Sequence, residues 1–313
     1  MAELWRSHRN MHFYLADIRS LESLSVHMTS VDFVLHTAAL KHVSLCESSP
    51  CEAVRSNIIG TQNVIDAATA GGVERVLFTS SDKAVNPTSV MGVSKLMGER
   101  LVTAASMLCD GAGPVFSATR FGNVIGSRGS VVPLFRRQIE SGGPVTLTDP
   151  RMTRFIMTVS QAATLVTESL FLAKGGDVFV TKMPAIRIKD LAEIMIEELA
   201  PLYGHASEDI AVDVIGLRTG EKLYEELMSE EEMWRSAELD HYHVIAPIVQ
   251  ARLQATGADG LDGRRVPPRD KPYNSRMETC MTREELRRFL RQHGLVSKEG
   301  VGSDRYVAGV HAE

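Results

Sequence analysis

Short apolar runs alternate with helical patterns along the first 126 residues, and this alternation restricts the fold more than any other feature of the sequence. Parallel neighbouring strands need a crossover between them, usually a helix, whereas antiparallel strands can be joined by a tight turn. The alternation therefore predicts an α/β fold with a doubly wound parallel sheet that is covered by helices on both faces. The predicted strands are "MHFYLADIR", "VDFVLHTAA", "RVLFTS" and "VFSATRFGNV", and the predicted helices cover 21–28, 52–70 and 91–109.

The regular alternation loosens after Gly126, where shorter strands and helices follow one another. We interpret 1–126 as the sheet domain and 127–295 as a smaller mixed α/β substrate lobe, from which some segments return to the sheet. The last predicted helix covers 282–293, and 296–313 is interpreted as a tail. The sequence thus predicts one sheet domain with a lobe built onto it.

The composition excludes several classes of protein. The chain of 313 residues has a formal net charge of -5 and a pI of about 6.1, which argues against a nucleic-acid partner or an anionic membrane surface because both need a clustered basic field. No run approaches the roughly 20 apolar residues of a membrane span, and the N-terminus lacks an apolar signal core. The four cysteines lack the spacing of a disulfide framework or a zinc site, so we expect no metal and a cytoplasmic location.

Small and polar residues stand where the predicted strands end. They are Asp17, the pair 38–39, the stretch 80–83 and the stretch 120–123. Open parallel sheets bind ligands outside the carboxyl ends of their strands, so these four positions are predicted to meet at one crevice. The two alanines allow the backbone to approach a dinucleotide, and Ser81 can donate a hydrogen bond to a sugar hydroxyl or to a developing ketone oxygen.

Six motifs occur in a fixed order between about Phe13 and Leu290: "HTAALKHV", "NIIGTQNVIDAA", "SSDKAVNPTSVMGVSK", "TRFGNVIGSRGSVVPLF", "MTRFIMTVSQA" and "GLRTGEKLYEEL". In this order they closely resemble the extended short-chain dehydrogenase/reductases. Within that group they resemble the CapD-like polysaccharide-biosynthesis enzymes, the inverting UDP-N-acetylglucosamine 4,6-dehydratases. The resemblance implies a Rossmann-like sheet, bound NADP or NAD, a UDP-sugar substrate, a homo-oligomer and a role in making surface polysaccharide or glycan.

The resemblance also implies roles for the residues after the third predicted strand. Such enzymes move a hydride from sugar C4 to the cofactor, eliminate water across C5 and C6, and return the hydride to C6. By resemblance Lys83 is the base for the C5 proton and Asp82 is the acid for the leaving hydroxyl. Retaining relatives carry Asp-Glu here, so Asp-Lys implies the inverting branch. A lysine can act as a base only if its pKa is lowered, and an ionised Asp82 would oppose this, so we expect Asp82 to be protonated. The alternative is that Asp82 and Lys83 are an exposed pair in a loop without a catalytic role.

Met91 and Lys95 have the spacing at which many members of the superfamily carry a tyrosine and a lysine. In those members the tyrosine takes the C4 hydroxyl proton and the lysine lowers the pKa of the tyrosine. A thioether exchanges no proton, so Met91 is predicted to shape the pocket. The C4 hydroxyl proton would then pass to Lys83 or to a water ordered by Lys95 and Ser81, and the sequence does not decide between them.

The resemblance further implies two sets of binding residues. The second set contains two arginines, Arg154 and Arg218. In substrate binding they would meet the diphosphate through paired, charge-assisted hydrogen bonds; the alternative is that they form salt bridges that pack the lobe. The implied cofactor contacts are Asp17, Ile18, Ala38, Ala39, Lys41, Asn57 and Lys95, and the implied substrate contacts are Lys41, Asn123, Val131, Val132, Arg154, Arg218 and Glu221.

The glycine-rich GxGxxG turn with which the family begins is absent from the sequence. We expect that the chain starts near the third strand of the family, that its sheet is truncated at the N-terminus, and that a missing part could have carried membrane helices. Two other functions stay open. One is an NAD(P)-dependent sugar-nucleotide 4-epimerase, which has no need of an Asp-Lys pair, and the other is a truncated, non-catalytic remnant.

Overall fold

A six-stranded sheet forms the centre of the molecule. The computed structural model describes residues 10–109, 113–127, 129–217, 220–248 and 271–298. In chain order, its helices and strands are α1 (Leu21–Met28), β1 (Phe33–His36), α2 (Val43–Ser48), α3 (Pro50–Ala53), α4 (Gly60–Gly71), β2 (Arg75–Ser81), α5 (Val90–Leu108), β3 (Val115–Phe121), β4 (Asn123–Val124), α6 (Val131–Glu140), β5 (Val145–Leu147), β6 (Thr153–Met157), α7 (Val159–Leu172), β7 (Val178–Thr181), β8 (Ala185–Arg187), α8 (Ile188–Leu199), β9 (Val212–Val214), β10 (Glu226–Met228), α9 (Glu230–Met233), β11 (Ser236–Glu238), β12 (Tyr242–Ile245), β13 (Tyr273–Asn274) and α10 (Arg283–Gln292).

The central sheet is mostly parallel. Its strand order is β1-β2-β3-β7-β12-β11, in which the first four strands run parallel and the last two add antiparallel pairs. Strands β2 and β3 are buried along nearly their whole length, as expected for parallel strands covered on both faces. The predicted α/β class, a Rossmann-like fold with a mostly parallel sheet, is confirmed.

Local sequence signals account for the helices that flank the sheet. The side chain of Ser20 caps the N-terminus of α1, and the side chain of Ser89 caps α5. Gly72 ends α4 in the left-handed conformation with φ 71, which a residue without Cβ adopts at little cost. Between α3 and α4 the chain forms a π-helical segment, Val54–Ile59, where the sequence predicts an unbroken helix.

A second hydrophobic cluster lies under α6 and α8. Phe135, Ile139, Leu191 and Met195 are buried in it, and the final helix α10 contributes Leu286 and Leu290. By contrast, β10 and β12 pack against the core of the central sheet. The segment after 225 therefore returns from the lobe to the central sheet. The division of the chain at 126 into a sheet domain and a substrate lobe remains a proposal.

The first predicted strand is wrong. Residues 11–17 form no strand, and the side chains of Tyr14 and Leu15 are 68% and 100% exposed. A strand forms when its backbone groups pair with a neighbour, and β1 is paired on one side only, with β2, among the described residues. The edge position of β1 also leaves Leu35 48% exposed. An apolar run without a neighbouring strand does not produce a strand by itself.

Candidate active site

Two adjoining cavities of about 370 Å³ each open at the carboxyl ends of the parallel strands. The first lies above β1, β2 and β3, and the second extends from it towards the lobe. Lys83, Asn123 and Ser130 line both. Of the residues predicted to act on substrate or cofactor, the first cavity is lined by Ala39, Lys41, Ser81, Asp82, Lys83, Met91, Lys95 and Asn123, and the second by Lys83, Asn123, Val131, Arg154 and Glu221.

The end of β2 presents the Ser-Asp-Lys sequence as one hydrogen-bonded turn. Ser81 Oγ donates to Asp82 Oδ1 over 2.7 Å and accepts from the backbone N–H of Lys83 over 3.3 Å. Lys83 Nζ donates to the same Asp82 oxygen over 3.0 Å. Asp82 is 1% exposed, and its Oδ2 has no hydrogen-bond partner among the described residues. The pair is therefore not an exposed loop pair, because its carboxylate is buried beneath the cavity.

Glu225 completes this arrangement, and sequence reasoning missed it. Its Oε1 lies 3.4 Å from Lys83 Nζ and 3.4 Å from Arg154 Nε. The residue is 3% exposed, and Glu225 Oε2 also has no hydrogen-bond partner within the described part of the chain. The motif "GEKLYEEL" contains three glutamates, and the pattern does not indicate which one faces the lysine. Glu221, the one predicted, lines the second cavity.

Two of the lysines that line the cavities, Lys83 and Lys95, have opposite electrostatic environments. Burial lowers the pKa of Lys83, but the nearby charges of Asp82 and Glu225 outweigh it, so the pKa is raised above the usual range of lysine. Burial lowers the pKa of Lys95 to about 8, and the charge of Glu99 opposes this only in part. In this arrangement Lys83 holds its proton firmly, the opposite of what a base requires.

Met91 and Lys95 lie side by side on the first turns of α5. Lys95 Nζ donates to the backbone oxygen of Thr79 over 2.8 Å and lies 4.7 Å from the centre of the Phe78 ring. Met91 is 4% exposed and packs with Cys46 in a small apolar cluster beside the cavity. Met91 thus supplies an apolar wall of the first cavity, and its role in shaping a substrate pocket stays a prediction.

Helix α5 approaches the backbone of Lys83 closely at Gly92. A Cβ atom at Gly92 would lie 2.3 Å from the backbone oxygen of Lys83 and 3.0 Å from Cβ of Pro87. Real Cβ atoms do not approach a backbone oxygen so closely, so only glycine fits here without displacing the turn. The sequence "VMGVSK" therefore positions Lys83 as well as Lys95.

Asn57 supports the loop after β1 from the π-helical segment. Its side chain accepts from the backbone N–H of Leu40 over 2.8 Å, donates to Leu40 O over 3.0 Å, and donates to Ser94 Oγ over 2.8 Å. Asn57 is 2% exposed and lines neither cavity. It therefore holds the loop that carries Ala39 and Lys41, and its predicted contact with a cofactor would act through that loop.

Several predicted contacts lie away from the two cavities. The carboxylate of Asp17 binds the guanidinium of Arg19, which lowers the pKa of Asp17 to about 2, and Ile18 packs against Gly60. Ala38 is exposed and lines neither cavity, and Val132 is buried in the second hydrophobic cluster. Their roles as binding residues remain predictions.

The guanidinium of Arg154 is occupied by protein groups. Nη1 donates to Thr153 O over 2.7 Å and Nη2 to Lys222 O over 2.8 Å, while Nε faces Glu225. These contacts favour the alternative in which Arg154 packs the lobe over one in which its guanidinium is available to bind diphosphate. Arg154 nevertheless lines the second cavity. The other predicted arginine, Arg218, lies outside the described residues.

The described residues show neither a metal site nor a membrane span. Among the described residues, no group of three or more His, Cys, Asp or Glu side chains is placed to hold a metal ion. Within those ranges, none of the helices combines the length and apolar character needed to cross a bilayer.

Fold and site together define a class. A mostly parallel sheet, a crevice at the carboxyl ends of its strands and a lysine-bearing helix beside it are the architecture of the extended short-chain dehydrogenase/reductases. Residues 2–247 match the family described as "Polysaccharide biosynthesis protein". The chain belongs to this family, as its six motifs predict.

Relatives in this family carry names with different activities. An uncharacterized membrane protein of Methanocaldococcus jannaschii is 47% identical over 279 residues, which cover 89% of this chain and 80% of the relative. The inverting UDP-N-acetylglucosamine 4,6-dehydratase of Campylobacter jejuni is 39% identical over 241 residues, which cover 77% of this chain and 69% of the relative. A UDP-glucose 4-epimerase of Rickettsia akari is 41% identical over 239 residues, or 76% and 68%. Family membership is shown, and the names divide between dehydratase and epimerase.

Solved structures support the same fold. The X-ray structure of Pen from Bacillus thuringiensis has a TM-score of 0.84 and 42% identity and covers 93% of this chain and 85% of its own. The dTDP-glucose 4,6-dehydratase DesIV from Streptomyces venezuelae, with NAD and TYD bound, has a TM-score of 0.62 and 21% identity over 69% and 70% of the two chains. At the lower identity the likeness concerns the fold alone.

Proposed function

We propose that the chain is a sugar-nucleotide 4,6-dehydratase that acts on UDP-N-acetylglucosamine with inversion at C5, in surface polysaccharide or glycan biosynthesis. The observation that carries the proposal is the Asp82-Lys83 pair at the end of β2, in which a buried carboxylate meets a partly exposed lysine; the pair lines the cavity, and an epimerase does not need it. The Campylobacter relative named for this reaction supports it. The predicted homo-oligomer and cytoplasmic location are proposals of the same kind.

The residues after β1 fit a nicotinamide dinucleotide. Thr37, Ala39 and Lys41 line the first cavity together with Lys95, and the small side chains allow a close approach of the cofactor to the backbone. We propose that these residues hold NAD or NADP; a structure of the same fold contains NAD. When bound, the cofactor accepts the hydride from sugar C4 and returns it to C6.

Acid and base roles follow from the polar groups of the turn. Lys83, once neutral, takes the C5 proton, and Asp82, once it has gained a proton, donates that proton to the leaving C6 hydroxyl. Ser81 Oγ lies beside Asp82, and it can donate to the C4 ketone oxygen after it releases its hydrogen bond to Asp82. Met91 exchanges no proton, and the lowered pKa of Lys95 favours a water ordered by Lys95 and Ser81 as the acceptor of the C4 hydroxyl proton.

The test uses the full-length protein with UDP-N-acetylglucosamine, NAD or NADP and solvent deuterium. We expect a 4-keto-6-deoxy product that carries deuterium at C5, detected by mass spectrometry and NMR. Lys83→Ala should slow C5 exchange by roughly 10²–10⁴-fold, the usual range for loss of a general base. Folded, cofactor-loaded protein that returns the sugar unchanged would contradict the proposal.

A 4-epimerase is the second candidate, and the Rickettsia relatives named UDP-glucose 4-epimerase favour it. Epimerisation needs hydride removal and return at C4 and no proton transfer at C5. If Lys83→Ala leaves turnover of the sugar intact while Lys95→Ala abolishes it, epimerisation is the better assignment. Binding of the UDP-sugar without any turnover would instead indicate the non-catalytic remnant.

A further inference from the structure

Four charged side chains meet where the two cavities join, and we call Asp82, Lys83, Arg154 and Glu225 the cavity cluster. Two are acids and two are bases, so their formal charges sum to zero. The two carboxylates and Arg154 are buried, whereas the Lys83 side chain is 32% exposed. A buried, neutral cluster can move a proton from one member to another without acquiring a net charge.

Glu225 is held in this cluster by its backbone. Its N–H donates to Ser275 Oγ over 3.0 Å, and its carbonyl oxygen accepts from the Ser275 N–H over 2.9 Å. Ser275 Oγ lies in turn 2.9 Å from Thr153 Oγ1 on β6. The next residue, Glu226, faces another way and accepts from Asn86 Nδ2 at 3.3 to 3.4 Å. The chain thus directs one of two adjacent glutamates at Lys83.

The carboxylate of Glu225 has spare acceptor capacity. Its closest charged contacts, to Lys83 and Arg154, are both 3.4 Å, longer than a usual charge-assisted hydrogen bond, and its Oε2 has no partner among the described residues. An unsatisfied buried oxygen costs about 1–3 kcal/mol in a protein interior. An arrangement that leaves two such oxygens, on Asp82 and on Glu225, beside one lysine indicates a use for them.

We infer that Glu225 is a positioning residue for Lys83. Its carboxylate holds the Lys83 ammonium group at the cavity and receives the proton that Lys83 must give up before it can act as a base. This inference rests on the proposed dehydratase reaction for its last step. The hold of Glu225 on Lys83 is a property of the protein alone.

The proton transfer balances within the cluster. An N–H bond of the Lys83 ammonium breaks and an O–H bond forms on Glu225, which leaves a neutral amine and a neutral carboxyl. The amine then takes the C5 proton, and the C5–H electron pair moves into the C4–C5 bond as the C4 ketone becomes an enolate. The flexible lysine stem allows Nζ to close the 3.4 Å gap to Glu225.

Electrostatics favours Glu225 as the acceptor. Burial and the negative charge of Asp82 raise the pKa of Glu225, while the positive charges of Lys83, Arg154 and Lys222 lower it, and the balance is a raised pKa. The carboxyl therefore accepts a proton more readily than an exposed glutamate does. These are the charged groups that face Glu225 from the surrounding elements.

The test measures the protonation of Lys83 directly, in full-length protein without substrate. Acetylation of Lys83 by acetic anhydride is followed from pH 7 to 11 by peptide mass spectrometry, with exposed Lys189 as the internal reference. Wild-type Lys83 should react with a midpoint above that of Lys189. In Glu225→Gln the midpoint should move to lower pH, and acetylation at a fixed pH below it should rise about tenfold or more.

Glu226→Gln is the matched control, because it removes the neighbouring charge and should leave the midpoint in place. Glu225→Asp, which keeps the charge but sets it further away, should give an intermediate midpoint. A change of access alone would scale the rate equally at every pH without moving the midpoint. An unchanged midpoint in folded Glu225→Gln, or a wild-type midpoint at or below that of Lys189, overturns the inference.

The failures of the two proposals are distinguishable. If the midpoint moves but wild-type protein exchanges no C5 proton of UDP-N-acetylglucosamine, the dehydratase proposal fails while the hold of Glu225 on Lys83 stands. If the wild type makes the 4-keto-6-deoxy sugar and the midpoint does not move, the role of Glu225 fails alone. In an active dehydratase, Glu225→Gln should also shift the pH profile of C5 exchange, which Glu226→Gln should not.

Discussion

Within the described part of the chain, the cavity cluster can be compared with a second cluster of buried charges, and the two differ in how fully their hydrogen bonds are made. The first is the cavity cluster. The second, which we call the core cluster, consists of Glu99 on α5, Arg120 on β3 and Glu232 on α9. Each of its four carboxylate oxygens accepts from Arg120, at 2.6 to 2.8 Å, and Arg120 also donates to the backbone oxygen of Leu227.

The difference matches a structural task for the core cluster and the proposed chemical task for the cavity cluster. In the core cluster the guanidinium of Arg120 outweighs burial and lowers the pKa of Glu232 to about 2, so its charges stay fixed. In the cavity cluster the pKa of Glu225 is raised, and two carboxylate oxygens lack partners among the described residues. A saturated cluster holds segments together, and an unsaturated one retains the capacity to exchange protons.

Breaking the core cluster should have the largest effect on folding. Arg120→Met leaves Glu99 and Glu232 buried without their partner, and loss of one member of a buried ion pair costs about 3–5 kcal/mol. Urea unfolding should show this loss. Arg151→Met is the control, because Arg151 is exposed and its pair with Asp149 should contribute no more than about 1 kcal/mol. Equal stability of the two variants would show that the core cluster does not hold the fold together.

Met91 forms an apolar wall of the first cavity, and substitutions of it should have the next largest effect on the free energy of unfolding. Met91→Ala should lower the free energy of unfolding by about 2–5 kcal/mol because it empties a buried site. Met91→Tyr should cost about 1–3 kcal/mol through overpacking and should bring little gain in C5 exchange. A large gain in exchange for Met91→Tyr, from a nearly inactive parent, would mean that the methionine is a lesion and not a feature of this branch.

Lys95 lines the first cavity one helical turn before Glu99, and its effect on stability is visible only as a pH dependence. Its pKa is about 8 in the folded protein and 10.5 unfolded, so between these values the unfolded chain binds one more proton. Unfolding free energy should therefore rise with pH from about 8 to 10.5, by at most about 3 kcal/mol. The contribution of Lys83 has the opposite sign and is lost only above that window.

The measurement is the free energy of unfolding from pH 7 to 10.5 for the wild type and for Lys95→Met. The variant should lack the rise, so the difference between the two curves should change steadily across the window. Parallel curves would mean that Lys95 titrates alike in both states and that its burial does not lower its pKa.

Much of the fold could be predicted because its signals are local. Strand β2 and helix α5 end within a residue or two of the predicted positions, and the capping box that begins α10 can be read from Thr282 and Glu285. The run before α1 could not be assigned correctly, because whether it pairs depends on a neighbour that the run itself does not specify. Local patterns define elements, and pairing decides which of them become strands.

The candidate site was predictable where its residues are close in sequence. Ser81, Asp82 and Lys83 stand in one turn, and their meeting follows from the end of β2. Glu225 lies more than a hundred residues away, and its position depends on the antiparallel pairing of β10 with β13. Such pairing between short strands leaves no local pattern. The sequence therefore indicates the acid and the lysine but not the second carboxylate that faces the lysine.

The segment around β10 serves both clusters at once, with Glu225 in the cavity cluster and the backbone of Leu227 bound to Arg120. These anchors are two residues apart, so the chain at Glu225 is close to a fixed pivot. Lys222, which lines the second cavity, is tied down as well, because its carbonyl oxygen accepts from Arg154 Nη2 over 2.8 Å and its Nζ donates to Val85 O over 2.9 Å. One short stretch of chain therefore fixes both a wall of the second cavity and the charge that faces Lys83.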